Sequence, residues 1–488
     1  MGGEESSRYR EQASKGGEES SRYREQASKG LEGMHHVHFV GIGGIGMSGI
    51  ARVLLEEGYR VSGSDLRVSP LTEALVGLGG TVYEGHAAKN IAGADLVVVS
   101  SAVPPHNPEA VAAQESGIPV VGRAQILGQL MEGRYGVAVA GTHGKTTTSA
   151  MIALILEGAG LDPTIIVGGV IPELGSNAKA GKGKYLVLEA DEYQRTFLGL
   201  SPSVAVVTNI EMDHPDYFRD LEDVYQAYLE FAKLVPQEGA IFLCADDPMA
   251  QRLEKEPHLA GITTYGLGLR ARWRAADLAA NAAGGSDFRV LASGRPRGEF
   301  SLRIPGRHNV KNGLVALAVS DYLGIDLREV GKTLARFRGV ERRFEVKGEA
   351  AGVVVIDDYA HHPTEIKATL AATRERYPER RVWALFQPHT YSRTKALLPD
   401  FAASFANANQ VVVTDIYPAR ETDDLGINSQ ELVTTMSHPG AHYVGALSDV
   451  VSMLCQQLRR GDLLITLGAG DIYQVGERVL ARLKRKGR

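Results

Sequence analysis

The sequence predicts an α/β protein of three consecutive domains: a Rossmann-like N-terminal domain, a P-loop-type central domain and a Rossmann-like C-terminal domain. Three observations carry this. Short β-branched runs alternate with helical periodicities from about residue 34 onward, the pattern of parallel sheets crossed by helices. Two glycine-rich strand-to-helix turns, Gly41-Ile-Gly-Gly-Ile-Gly46 and Gly141-Thr-His-Gly-Lys-Thr146, open two of the units. Polar residues then collect at strand ends in a third. The expected divisions are a disordered tail at 1–33 and domains at 34–133, 134–342 and 343–488.

Composition narrows the function. Hydrophobic residues at 44% and charged residues at 23% are ordinary globular values. A net charge of -5 gives no general attraction to nucleic acid. No apolar run reaches the ~20 residues that span a bilayer, so no membrane partner is expected. The two cysteines, Cys244 and Cys455, sit among apolar neighbours and read as buried, unbridged thiols, which places the protein in the cytoplasm. The segment GGEESSRYREQASK at 2–15 recurs at 16–29; so polar a duplication cannot bury enough surface to order itself. The expected assembly is a monomer or a homodimer.

In the first domain the strand Val37–Val40 runs into Gly41, Gly43, Gly44 and Gly46, and a helix follows with Ile50, Val53 and Leu54 on one face. A second strand ends at Asp65, 19 residues after Gly46. This spacing suits a diphosphate on the helix N-terminus and a ribose hydroxyl on Asp65. It fits a nicotinamide dinucleotide and a uridine diphosphate sugar equally. His86 and Ser100 fall at or just beyond strand ends, where ligands of such sheets lie.

The central unit turns on Tyr135–Ser149. A buried strand leads into Gly141-Thr142-His143-Gly144-Lys145-Thr146-Thr147, then a helix. The glycines turn backbone N–H groups toward a phosphate, and the helix N-terminus adds donors and a favourable dipole. Lys145 can neutralise terminal phosphates, and the Thr146 hydroxyl can join a magnesium shell. Val139 stands where the full Walker spacing has its first glycine. Two further strands end in Glu189-Ala-Asp191-Glu192 and in Asn209-Ile-Glu211-Met-Asp213-His214, so their carboxylates and imidazole fall beside the loop. Residues 267–305 read as strands and turns without a site. His308, Asn309 and Asn312, opening the next helix, suit either a nucleotide base or helix capping.

In the third unit one strand ends in Asp357-Asp358-Tyr359-Ala-His361-His362 and another in Gln387-Pro-His389-Thr-Tyr391-Ser-Arg393. Arg343 lies at the join with the central domain.

Taken together, the blocks HFVGIGGIGMSGIA, AGTHGKTTT, EADEYQRTFL, TNIEMDHPDYF, GRHNVKNGLVA, GVERRFE, DDYAHHPTE and QPHTYSRT resemble the ATP-dependent Mur ligases, in order from about residue 36 to the end. The resemblance implies a UDP-sugar domain, an ATPase domain and an amino-acid domain. It implies that UDP-N-acetylmuramate and L-alanine are joined through an acyl phosphate; a ligase adding a peptide to the same sugar, a nicotinamide-dependent dehydrogenase and an ATP-binding switch are the alternatives. By it Lys145 and Thr146 hold ATP phosphates and Mg2+, with Glu189 and His214 at the other metal positions. His308 and Asn312 match the adenine block, Arg343 and Asp358 the phosphates and ribose. Gly43, Gly44, Asp65, His86 and Ser100 match the UDP-sugar side; Tyr359, His361, His389 and Arg393 match the region of the incoming alanine. Glu192-Tyr193-Gln194 replaces the ESD of some members, and Thr390 an arginine of others, leaving Arg393 as the candidate for alanine's carboxylate. His361 is the candidate general base. Because an acyl phosphate hydrolyses, the C-terminal domain is expected to close about residues 338–344.

Overall fold

The computed structural model describes residues 31, 33–259 and 261–486; apart from residues 31 and 33, the tail expected to be disordered lies outside them. The described residues form three sheets. The first holds β1 (His36–Val40), β2 (Arg60–Asp65), β3 (Thr81–Glu84), β4 (Leu96–Val99) and β5 (Val120–Gly122), all parallel, in the order β3-β2-β1-β4-β5. Strand order reverses between β1 and β4, so a crevice opens at their C-terminal ends. Gly41–Gly46 follows β1 and Ser100 follows β4 there.

The central sheet has ten strands: β6 (Tyr135–Ala140), β7 (Thr164–Ile171), β8 (Ser176–Lys179), β9 (Tyr185–Glu189), β10 (Val204–Val207), β11 (Ala240–Cys244), β12 (Ile262–Gly266), β13 (Trp273–Ala280), β14 (Ser286–Ala292) and β15 (Arg295–Leu302). Their order is β15-β14-β13-β12-β11-β10-β6-β9-β7-β8. Strand β6 runs parallel between β9 and β10. Val137 to Ala140 are all 0% exposed, as expected of a short apolar run covered on both faces. The stretch at 267–305 resolves into the antiparallel meander β13-β14-β15. The helix Lys145–Gly158 lies against the helix Arg307–Tyr322, both deep in one apolar cluster. Burying a side chain such as Ile152 or Leu314 there contributes roughly 1.5–3 kcal/mol.

The third sheet holds β16 (Glu345–Ala350), β17 (Val353–Asp358), β18 (Arg381–Phe386), β19 (Gln410–Val413), β20 (Ala441–Tyr443) and β21 (Asp462–Leu467), ordered β16-β17-β21-β18-β19-β20, with only β16 antiparallel to its neighbour. The chain enters it through Gly339, Arg342 and Phe344, all with positive φ. The three-domain α/β architecture is the one the sequence predicts.

Candidate active site

The phosphate loop is held by backbone that only glycine adopts freely. Gly141 has φ +133°, and a Cβ there would stand 1.8 Å from Thr208 Oγ1. Gly144, φ +81°, caps the helix Lys145–Gly158, and its Cβ would meet Asn312 Oδ1 at 2.9 Å. Neighbouring strand ends fasten the loop: the His143 N–H donates to Asn209 Oδ1 (2.9 Å), and the Glu211 N–H donates to Thr142 Oγ1 (2.9 Å). Lys145 Nζ folds back to donate to the Gly141 carbonyl (2.6 Å) and to Glu192 (2.9 Å). Burial opposes the ammonium charge, but Glu192 and Asp191 outweigh it and hold the Lys145 pKa above its ordinary value.

A cavity of about 310 Å³ opens beside the loop. Eight of the eleven residues expected at ATP line it: His143, Gly144, Thr146, Thr147, His308, Asn312, Arg343 and Asp358. Gly141, Thr142 and Lys145 complete the loop itself. Asn309 spends its amide on the Pro305 carbonyl (2.7 Å) and accepts from Asn312 Nδ2 (3.3 Å). Burial beside Lys311 lowers His308 to about 4, leaving a neutral ring. Burial pushes Asp358 up to about 6, against the opposing pull of Arg343 and the Ala360 and Phe344 N–H groups.

His143 sits between two carboxylates from different domains, 3.5 Å from Glu211 and 3.3 Å from Glu365. Burial disfavours its charge, yet Glu211 and Glu365 raise it to about 9. His143, Glu211 and His362 offer ligand atoms within 4.8 Å of one another. Two of the three are hydrogen-bonded within the protein: His362 Nδ1 accepts from the Thr364 N–H (3.3 Å), and Glu211 accepts from the Thr364 hydroxyl (2.6 Å); the His143 ring nitrogens make only the ion-pair contacts to Glu211 and Glu365. The group lies on the polar seam between the central and C-terminal domains.

Of the three residues expected at the metal, Thr146 is buried at the mouth of its helix, with Arg343 Nη2 3.5 Å from its hydroxyl. Glu189 ends β9 in register with Val139 and accepts from the Gly168 N–H (2.7 Å). His214, at φ +53°, packs its ring on Tyr193 (centroids 4.7 Å) and keeps a buried Nδ1 without a hydrogen-bond partner.

The C-terminal domain brings its four expected residues together. His361 Nδ1 faces the Tyr359 carbonyl at 3.0 Å, so Nδ1 carries the proton and Nε2 the lone pair. The ring centroids of His361 and His389 lie 5.8 Å apart, and His389 stacks on Tyr417. Burial, with Arg393 and other cations nearby, lowers His361 to about 4 and His389 to about 2. Arg393 is 3% exposed and donates through Nε to Asp213 (2.7 Å) on the central domain; Nη1 lies 3.3 Å from His389. Thr390, at φ +67°, caps the Arg393 helix, Tyr391–Ala396.

In the first domain the Gly43 N–H donates to Asp65 Oδ2 (2.9 Å), and a Cβ on Gly43 would strike that oxygen. Gly44 precedes the helix Ile45–Glu56. Ser100 crowds Gly41, whose Cβ would lie 3.0 Å from that of Ser100. His86 Nδ1 lies 2.8 Å from the Ser64 hydroxyl. Sequence reasoning passed over Arg123, whose guanidinium covers Gly46 and donates to Asp191 (3.0 Å). It placed Glu192 and Asp213 beside the loop without their pairings to Lys145 and Arg393, and it passed over Glu365, the third residue of the helix Pro363–Arg376.

Three stretches match the Mur ligase family: residues 36–135 its catalytic domain, 139–320 its middle domain and 342–470 its glutamate ligase domain. The chain belongs to the Mur ligase family. Among its relatives are the UDP-N-acetylmuramate--L-alanine ligases of Geobacter sp. (strain M21), 48% identical over 92% of this chain and 98% of theirs, and of Solibacter usitatus, 48% identical over 93% and 96%. The crystal structure of the UDP-N-acetylmuramate-alanine ligase of Thermotoga maritima superposes with TM-score 0.79 at 30% identity, covering 93% of this chain and 100% of that one. A murein peptide ligase from Psychrobacter arcticus reaches 0.72 at 26% identity, covering 93% and 99%.

Proposed function

We propose that this protein is a cytoplasmic, ATP- and magnesium-dependent ligase that joins L-alanine to the carboxylate of UDP-N-acetylmuramate in peptidoglycan precursor synthesis. One observation carries it beyond the names of the relatives: a nucleotide-sized cavity on the phosphate loop and a cluster of His361, His389 and Arg393 share the seam between two domains. That arrangement suits chemistry in which a carboxylate is activated by phosphate and then meets an amine. Among the described residues no helix is long and apolar enough to cross a membrane.

A free carboxylate is a poor electrophile and would have to expel oxide or hydroxide. Attack of the muramate carboxylate on the γ-phosphate of ATP gives an acyl phosphate and ADP. L-Alanine's neutral amine then attacks the acyl carbon, and phosphate leaves as the amide forms. The protein's contribution is placement and charge. Lys145, released from Glu192, would meet the phosphates. Arg393 would hold alanine's carboxylate, sharing its charge with Asp213. His361 Nε2 is a lone pair where the ammonium must shed a proton.

The Glu189 carboxylate and the Thr146 hydroxyl are oxygen donors of the kind a hard divalent ion takes, and His214, whose buried Nδ1 has no hydrogen-bond partner, is the nitrogen among the three. Bound by them, magnesium would neutralise phosphate charge. His308 and Asn312 would hold the adenine, Arg343 and Asp358 the phosphates and ribose. Gly43, Gly44, Asp65, His86 and Ser100 would hold the UDP-sugar.

The test is phosphate release with ATP, magnesium and UDP-N-acetylmuramate, with and without L-alanine. Release requiring both substrates, with a product heavier by one alanine residue, is expected. Release restored only by a tripeptide would replace this reading with the peptide-adding ligase.

A further inference from the structure

Glu109 is the second residue of the helix Pro108–Glu115 in the first domain, and it is 0% exposed. Burying a carboxylate in an apolar domain carries a large desolvation cost unless several donors meet it. Here they do. Asn90 Nδ2 donates to Oε1 at 2.6 Å and the Ala87 N–H at 3.2 Å. The Ser64 hydroxyl donates to Oε2, which also faces His86 Nδ1 at 3.4 Å and His38 Nε2 at 3.6 Å. His38 continues inward through the Ser62 hydroxyl (2.8 Å) to His36 (2.8 Å). Burial would raise the Glu109 pKa, but these partners bring it down to about 2, so the group is a fixed anion.

A buried charge of this kind adds little to stability over an apolar side chain of the same volume. Its position supplies the reason for it. Ser64 immediately precedes Asp65 at the end of β2, and His86 follows β3, on the side of the sheet where Asp65 and Gly43 meet. The inner wall of the His86 ring is thus an acceptor pair, the Glu109 carboxylate and the Ser64 oxygen. The side chain remains 16% exposed. Anchored through Nδ1, the ring has Nε2 left for a ligand.

We propose that Glu109 is a positioning residue for the sugar nucleotide: it fixes His86 with the proton on Nδ1 and so presents the Nε2 lone pair to a ribose hydroxyl of the UDP-sugar. The proposal rests on His86 lying at the UDP-sugar site.

Glu109→Gln keeps size and an acceptor for Asn90, but puts an amide N–H₂ where His86 and Ser64 need an oxygen. His86→Ala removes the positioned ring. Asn90→Ala strips Glu109 of a donor without touching His86, and reports what loosening the cluster does by itself. KM for UDP-N-acetylmuramate, KM for ATP and kcat are measured for each, with Glu109→Gln/His86→Ala completing a cycle. Expected are rises of about tenfold in the UDP-sugar KM for Glu109→Gln and for His86→Ala, the scale of one net hydrogen bond. No further rise is expected in the double variant, nor any change in the ATP KM. Asn90→Ala should lower the melting temperature and leave the UDP-sugar KM in place. Nitrogen-15 spectra of the His86 ring should show the Nδ1-protonated form in the parent and its loss in Glu109→Gln. If His86→Ala leaves the UDP-sugar KM unchanged, His86 is not at that site and the proposal falls with its premise. If His86→Ala raises KM but Glu109→Gln does not, or the two effects add, the site stands and the positioning role is overturned. A rise in Asn90→Ala equal to that in Glu109→Gln would assign the effect to loosened packing and overturn it as well.

Discussion

The Arg393 guanidinium of the C-terminal domain meets the Asp213 carboxylate of the central domain at 2.7 Å, with the two side chains only 4% and 8% exposed. The Arg393 charge outweighs burial and holds the Asp213 carboxyl well below its usual range. Truncating one partner of such a pair strands the other, at a cost of about 3–5 kcal/mol. The pair also ties the domains together beside His389 and His361. Asp213→Ala should therefore reduce kcat/KM for L-alanine by about a hundredfold or more, the scale of losing a buried charge partner, and leave ATP affinity little changed. X-ray scattering should show a more extended particle. An unchanged scattering profile together with unchanged alanine kinetics would remove the pair from closure and from substrate binding.

The phosphate loop makes a second prediction, about shape rather than charge. Gly141 at φ +133° faces Thr208 Oγ1 at a would-be 1.8 Å, whereas Gly175, φ +63°, has nothing within 4 Å. Gly175→Ala should cost about 1–2 kcal/mol of left-handed backbone strain and leave nucleotide affinity alone. Gly141→Ala must displace the loop or β10, so ATP affinity by calorimetry should fall by more than about tenfold, beyond what strain alone gives. Equal ATP affinities in the two variants would show that the loop tolerates the shift.

These two sites divide what the sequence discloses from what it hides. Gly141 to Thr147 is local: strand, glycine turn and helix follow one another, so the loop is visible in the residues before any fold is known. The central strands β6, β9 and β10 are likewise short apolar runs with one reading. The hairpin of β7 with β8 and the antiparallel β16 escaped notice, because Gly168-Gly169 and the polar run Glu345–Ala350 dilute the alternation that marks a strand. Partnerships resist such reading most. Asp213 and Arg393 are 180 residues apart and Lys145 and Glu192 are 47, and only the sheet order, with the turn of one domain upon another, brings each pair together.

Glu109 gives a pH dependence whose sign is fixed. Its pKa falls from 4.5 to about 2 on folding. A depressed folded value means stability that is fully present above about 4.5 and is lost as pH falls toward 2. The full contribution is about 3 kcal/mol. Other carboxylates titrate in the same window, so the readout is a difference. Between pH 5 and 3 the melting temperature of the parent should drop more steeply than that of Glu109→Gln. Parallel curves would mean that the carboxylate is already neutral, or solvated, in the folded domain.

His361 offers the sharpest test of the chemistry. Burial lowers it to about 4, the nearby Arg393 charge acts in the same direction, and Glu365 pulls only partly back. The ring is thus neutral across the physiological range, and the Tyr359 carbonyl at Nδ1 leaves Nε2 to accept a proton. A weak base suffices if alanine's ammonium is desolvated as it gives up its charge. His361→Ala should lower kcat by about 10²–10⁴-fold, the range for loss of a general base, with little effect on ATP affinity. In the parent, kcat/KM for alanine should show no acid limb from this group between pH 5 and 8. A limb near pH 6.5 that disappears in His361→Ala would mean that the ring titrates exposed to water in the free enzyme. Full turnover in His361→Ala would pass the proton to bulk water and leave the imidazole as a wall of the alanine pocket.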